Sequence, residues 1–211
     1  IAQDSVIYEQ PLINSKAEYE PLAKVNKGAA HMDQHDSLIN KPFDFTYKNF
    51  TPLEEMQKML RSVIFPEVTP GFKLSEDNRR FVLKYMSQLP KETTSPSYDS
   101  LEYYDAYSKF LLFGTEKEII KNIRIFNKIG LAYGYMIDNA YIVDFDNNIE
   151  YFLSAVIHVN KNQTYNDGVY EYEEIGYPFM QKLGESIHQY EVNRHRAFEP
   201  DLSSFIIRYD R

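Results

Sequence analysis

The residues best suited to chemistry in this chain are Lys128-Ile129-Gly130, which set a positive charge two residues from a position that has no Cβ. They sit between a short basic strand, Asn122 to Phe126, and a run that reads as two further strands and a closing helix. Taken alone, Lys128 is a solvated strand-end lysine, so its neighbours decide what it does. Covalent catalysis needs an activated nucleophile, and no serine has a lysine three residues on and no Ser-x-Asn or Ser-Asp-Asn occurs. The chain has no cysteine, which excludes thiolate chemistry, disulfides and Cys-based zinc sites. His31, His35, His158, His188 and His195 lack metal-site spacing such as His-Glu-x-x-His. Asp144-x-Asp146-x-Asn148 begins like a calcium loop, then fails at Ile149 and Ala155, where glycine and glutamate are required. Neither a metal nor a cofactor is expected.

Three elements must position Lys128, and the apolar spacing predicts them. Tyr135 to Asp144 and Ile149 to Asn160 are β-rich runs joined at Asp146-Asn147-Asn148, residues that tolerate positive φ in a tight hairpin. With Arg124 to Lys128 they make a three-stranded antiparallel sheet. Ile175, Phe179, Leu183 and Ile187, with Met180 beside them, then predict a helix from about Glu174 to Tyr190 on one face of that sheet. Upstream, Thr51 as N-cap, Pro52 as first helical residue and Glu54 as capping partner open a helix that buries Leu53, Met56, Met59, Leu60, Val63 and Ile64. A second helix starts at Ser75 and buries Phe81, Val82, Tyr85, Met86 and Leu89. Leu101, Tyr104, Tyr107, Phe110 and Leu111 suggest a third, stopped at Gly114. The fold class is therefore α+β, in three parts: an irregular segment 1–50 broken by Pro11, Pro21 and Pro42, a domain 51–193, and an extension 194–211 that folds back.

The ordered set Thr51-Pro52-Leu53-Glu54-Glu55-Met56, Phe126-Asn127-Lys128-Ile129-Gly130, Asp138-Asn139-Ala140-Tyr141-Ile142-Val143 and Ala155-Val156-Ile157-His158-Val159-Asn160 resembles the second half of a β-lactamase or penicillin-binding-protein domain, over roughly Phe43 to Tyr190. Within that superfamily it looks like the C-terminal part of the large serine hydrolases and D-alanyl-D-alanine carboxypeptidase-like proteins of Bacteroidetes-type bacteria. That resemblance implies catalytic roles for Lys128, whose charge attracts a substrate carboxylate and favours a deprotonated hydroxyl, and for the Leu131 N–H as an oxyanion donor. It implies a substrate surface at Lys128, Ile129 and Gly130, although Ile129 stands where the family has Thr or Ser. Asp36-Ser37-Leu38-Ile39-Asn40 falls where the family places its water-positioning loop, which implies Asp36 as deacylation base and Asn40 as water holder.

The implied function is the substrate-binding and oxyanion half of a serine hydrolase acting on a peptide or cell-wall-like substrate, inactive until a segment with Ser-x-x-Lys completes it. The implied location is periplasmic or outer-membrane-associated. The alternative is a non-catalytic binding or structural module. The first residues, Ile1-Ala-Gln-Asp, are neither a Met start nor a signal pattern, so an N-terminal half of the same domain is an expected partner, with a homodimer as the other way to cover its open surfaces. A net charge of −8 argues against nucleic acid, and no run reaches the roughly 18 apolar residues of a membrane span.

Overall fold

A computed structural model describes residues 9, 11, 12 and 23–209. The fold is mixed α+β with four helices, and the expectation for 1–50 lies largely outside the described residues up to residue 22. Residues 23–50 are not irregular: they hold β1 (Asn26–Lys27), β2 (Ala30–Met32), β3 (Leu38–Ile39) and β4 (Phe43–Asp44), each too short to show a period in the sequence. Helices α1 (Leu53–Ile64), α2 (Glu76–Ser87) and the single irregular turn α3 (Phe110–Phe113) follow. The main sheet is β5 (Ile123–Ala132), β6 (Tyr135–Asp144) and β7 (Ile149–His158), antiparallel in that order. After β8 (Thr164–Tyr165), a π-helical turn at Tyr172–Gly176 leads into α4 (Tyr177–Asn193).

Strand β6 is central and is covered on both sides. Its Met136, Ala140 and Ile142 join Ile123 and Ile125 of β5 and Tyr151 of β7 in a core closed by α3 and by Met180, Leu183 and Ile187 of α4. Its Tyr141 and Val143 join Phe126 in a second core closed by Leu60, Val63 and Ile64 of α1, Leu83 of α2, and Leu202 and Phe205 of the C-terminal segment. Each large side chain so buried contributes about 1.5–3 kcal/mol. The expected sheet, the closing helix on its face and the returning tail are thus all present. The expected hairpin also forms, with Asp144 Oδ1 accepting from the N–H groups of Asp146 (2.9 Å) and Asn147 (3.1 Å), and Asn148 at φ 50°.

Several local expectations need correcting. Pro52 rather than Thr51 caps α1, with no side-chain cap bond, whereas Ser75 does cap α2 by accepting from the Asn78 N–H. Phe81 and Tyr85 face solvent, 61 % and 58 % exposed and packed on each other at 4.6 Å, because Leu83, Val82 and Met86 form the inward stripe of α2. No long helix covers Leu101 to Leu111: residues 98–109 run through turns, and α3 contains Leu111 at ψ 128° and Leu112 at φ 76°. All four α3 residues are buried, and a helix apolar on every face has no stripe to orient it. Strand β5 reaches Ala132, four residues beyond the expected end, and turns through Tyr133 (φ 57°) and Gly134 (φ 80°). The face of α4 is set by Met180, Leu183 and Gly184, leaving Ile175 and Phe179 exposed. A Cβ on Gly184 would collide with the backbone of Leu112, so the glycine permits α4 to seat on α3.

Near-parallel rings latch the N-terminal arm to the sheet. His158 stacks on Tyr135 at 4.1 Å and faces Tyr165 at 6.1 Å; Tyr165 stacks on Phe43 at 5.9 Å, and β8, which carries Tyr165, pairs with β2. Burial between these rings, with Lys27 nearby, holds the His158 imidazole below its ordinary value of 6.5, against the Tyr133 carbonyl, which favours the charged form. A depressed folded pKa means that the stabilisation is complete above 6.5 and is lost as pH falls below it. As the pH falls below 6.5, protection of the Ala30–Met32 amides, taken relative to their intrinsic exchange rates, should drop while His158 charges. An imidazole proton shift titrating at or above the ordinary value would remove His158 from the latch.

Candidate functional site

Along β5, alternate side chains face opposite ways, which separates the three residues of the Lys-x-Gly word. Ile129 packs into the core on the α4 side. Lys128 and Gly130 take the other face. There Met56, Met59, Leu60 and Val63 of α1, Phe72 of the α1–α2 connection and Met86 of α2 wall a groove of about 210 Å³, with Lys128 and Asn139 as its polar lining. Lys128 pairs in register with Asn139, and Asn139 with Ser154. The row is knitted together: Asn139 Nδ2 donates to the Met56 carbonyl (2.9 Å), Ser154 Oγ donates to Asn139 Oδ1 (2.7 Å), and Gln57 Nε2 donates to Ser154 Oγ (3.1 Å). Lys128 is exposed, and its Nζ donates to the Ile129 carbonyl at 2.6 Å.

Strand β5 is an edge, since only β6 pairs with it. The backbone groups of an antiparallel strand alternate between its two sides. The Ile125 and Ile129 carbonyls accept from lysines, so the odd-numbered residues point off the sheet, and the Leu131 N–H points with them. Leu131 is itself 42 % exposed, and a Cβ on Gly130 would press on the Ile137 side chain at 2.9 Å. From Lys128 to Ala132 the edge is thus reachable from solvent.

Upstream of Lys128 the edge is closed by a buried polar network that sequence reasoning missed. Lys109, 2 % exposed, donates to the carbonyls of Met86 (2.8 Å) and Ile125 (3.0 Å) and to Asn127 Oδ1 (2.6 Å). Asn127 Nδ2 donates to the Ser108 carbonyl (2.8 Å) and to Asp138 Oδ1 (2.9 Å), while Asp138 Oδ2 accepts from the Leu111 N–H (3.1 Å). Burial pushes the Lys109 ammonium down and the Asp138 carboxyl up from their ordinary values; each ion's charge, and the Asn127 and Leu111 bonds to Asp138, pull the other way. The sequence signal was two polar residues, Asn127 and Asp138, at inward positions of otherwise apolar strands.

Asp36 and Asn40 lie elsewhere. Asp36, at φ 57°, is the exposed tip of the β2–β3 turn, which Asp33 organises by accepting from the N–H groups of His35 (2.8 Å) and Ser37 (2.9 Å). Asn40 is exposed beyond β3, and no hydrogen bond among the described residues joins either to Lys128. Among the described residues, no group of three or more His, Asp or Glu side chains is disposed to hold a metal ion, and no helix is long and apolar enough to cross a membrane. Compared with known proteins, the chain matches no family model, no curated sequence and no solved structure.

Removing one partner of the buried pair strands the other, at a cost of about 3–5 kcal/mol. Lys109→Met should lose stability on that scale in urea unfolding, and Lys109→Met/Asp138→Asn should regain most of it. Equal loss in both variants would show that Asp138 does not depend on Lys109.

Proposed function

We propose that this chain is the substrate-binding and oxyanion half of a serine hydrolase of the penicillin-recognising type, acting on a peptide or amide. The observation that carries the reading is the open edge of β5 beginning at Lys128, where an outward Ile129 carbonyl and an outward Leu131 N–H stand beside a cation and a groove. An extended acyl chain laid along that edge can pair with backbone groups, as peptides do when they add to a sheet edge. Its scissile carbonyl then meets the Leu131 N–H, and Lys128 draws in an anionic group and favours the deprotonated form of an attacking hydroxyl. The hydroxyl oxygen would bond to the carbonyl carbon while negative charge collects on the carbonyl oxygen; the carbonyl would then re-form as the C–N bond breaks, the proton given up by the hydroxyl passing to the departing amine nitrogen.

That hydroxyl is not among the residues of the groove, so a second segment with Ser-x-x-Lys has to supply it. One oxyanion donor is worth about 2.7–4 kcal/mol, so this half is inert alone. The exposed Phe81–Tyr85 pair on α2 offers an apolar surface for the completing half, or for a second copy of this chain. On this reading the protein would work in the periplasm or at the outer membrane, and Asp36 and Asn40 as water-handling residues would need the completing half to bring their arm towards β5.

One observation favours a non-catalytic binding module instead. Ile129 is committed to the core, and no hydroxyl lines the groove beside Lys128. The two readings separate on labelling of the complete protein with a serine-directed phosphonate. The hydrolase reading expects one modified serine, loss of labelling in Lys128→Ala without unfolding, and no turnover by the 211-residue chain. Undiminished labelling in Lys128→Ala returns Lys128 to an ordinary strand-end lysine, and no labelling at all leaves the binding module.

A further inference from the structure

The groove beside Lys128 constrains the substrate more narrowly than the strand edge does. Three of its walls are the thioethers of Met56, Met59 and Met86, unbranched side chains that re-pack around ligands of varied shape. The amide of its polar floor is already engaged, Asn139 donating to the Met56 carbonyl and accepting from Ser154. Lys128 is the one ionisable side chain in its lining. A volume of about 210 Å³ lies below the roughly 300–1,000 Å³ of pockets that enclose a whole drug-sized ligand, so the groove takes one apolar limb of a longer molecule.

We infer that this limb is an aliphatic acyl chain, and that the substrate class is an N-acylated amino acid or peptide whose carboxylate lies at Lys128. The charge complementarity sets the polarity of the ligand: an apolar tail enters among the methionines while the anionic head stays at the cationic rim beside the open edge. This assignment rests on the proposed reading of β5 as the acyl-binding edge, and it adds the chemistry of the bound group. A small polar D-amino-acid terminus would leave the methionine walls empty.

The test uses the 211-residue chain with its methionine methyl groups labelled with carbon-13 and observed by NMR, N-acylglycines from butanoyl to octanoyl being the ligands. The methyl signals of Met56, Met59 and Met86 should shift on binding, while those of Met136 and Met180, both sealed in the other core, should stay fixed. Affinity should rise about fourfold per added methylene until the groove is full. Lys128→Gln, a change at an exposed side chain, should weaken octanoylglycine and leave octanol unaffected. Static groove methionines, no dependence on chain length, or octylamine binding as well as octanoylglycine would each overturn the inference. Failure of the underlying reading looks different: groove methionines that respond to chain length in a complete protein whose serines stay unlabelled would keep the acyl site and remove the chemistry. A Lys128-dependent labelled serine with silent methionines would do the reverse.

Discussion

Strand β6 is hydrogen-bonded along both edges and packed on both faces, and this burial is the constraint the rest of the structure answers. A strand so enclosed needs two covering layers, and this chain supplies them from opposite ends of its sequence: α1, α2 and the C-terminal segment on one face, α3 and α4 on the other. Apolar contact supplies most of the driving force but is non-directional. The polar side chains of β6 supply direction. Asp138 holds the turn at Leu111, Asn139 holds the Met56 carbonyl of α1, and Asp144 holds the β6–β7 turn and faces His188 of α4 at 3.3 Å. Each cover is located by one carboxylate or amide that would be costly to bury without its partner.

The same economy governs the edge. A free sheet edge invites pairing with other chains, and proteins block such edges with charged side chains or covering loops. Here Lys109 plugs the Ile125 carbonyl, and the Ser108–Leu111 segment lies alongside. Protection stops where Lys128 begins. An edge closed for half its length and open for the other half is a surface on which only a short extended chain can pair, in a register set by where the plug ends.

What the sequence made legible were the elements with long, clean periods. Strands β6 and β7, their Asp-Asn turn, the Ser75 cap and the α1 stripe, apart from Met59, which is 42 % exposed, could be read because pattern and local chemistry agree there. The failures have separate physical causes. Phe81 and Tyr85 are as hydrophobic as core residues, yet tertiary packing chose Leu83, and an apolar side chain in solvent breaks no rule. Leu101 to Leu111 carries a helical spacing, but the segment is fixed by bonds from Lys109 and Leu111 to partners 16 to 27 residues away, which no local window contains. The arm strands are two or three residues long, and β2 finds its parallel partner in β8, far along the chain. Of the candidate site, Lys128 and Gly130 could be read from their spacing. The methionine groove could not, since it gathers residues from α1, α2 and two strands.

Lys128 therefore depends on residues it does not touch. Slipping β5 by one position against β6 would carry Ile129 to the groove and drive a lysine into the α4-side core, because side chains alternate with a period of two. The apolar pattern of β5 resists the slip, yet Arg124, Lys128 and Gly130 make the groove face a weak hydrophobic signal. Asn127 makes the slip far costlier. It binds Lys109, Ser108 and Asp138 at once, and a shift of one residue would point it away from all three and leave two ions buried without their shared amide. The network thus acts as a register pin set one residue before Lys128, and whatever Lys128 binds, it does so from a position that Asn127 has fixed.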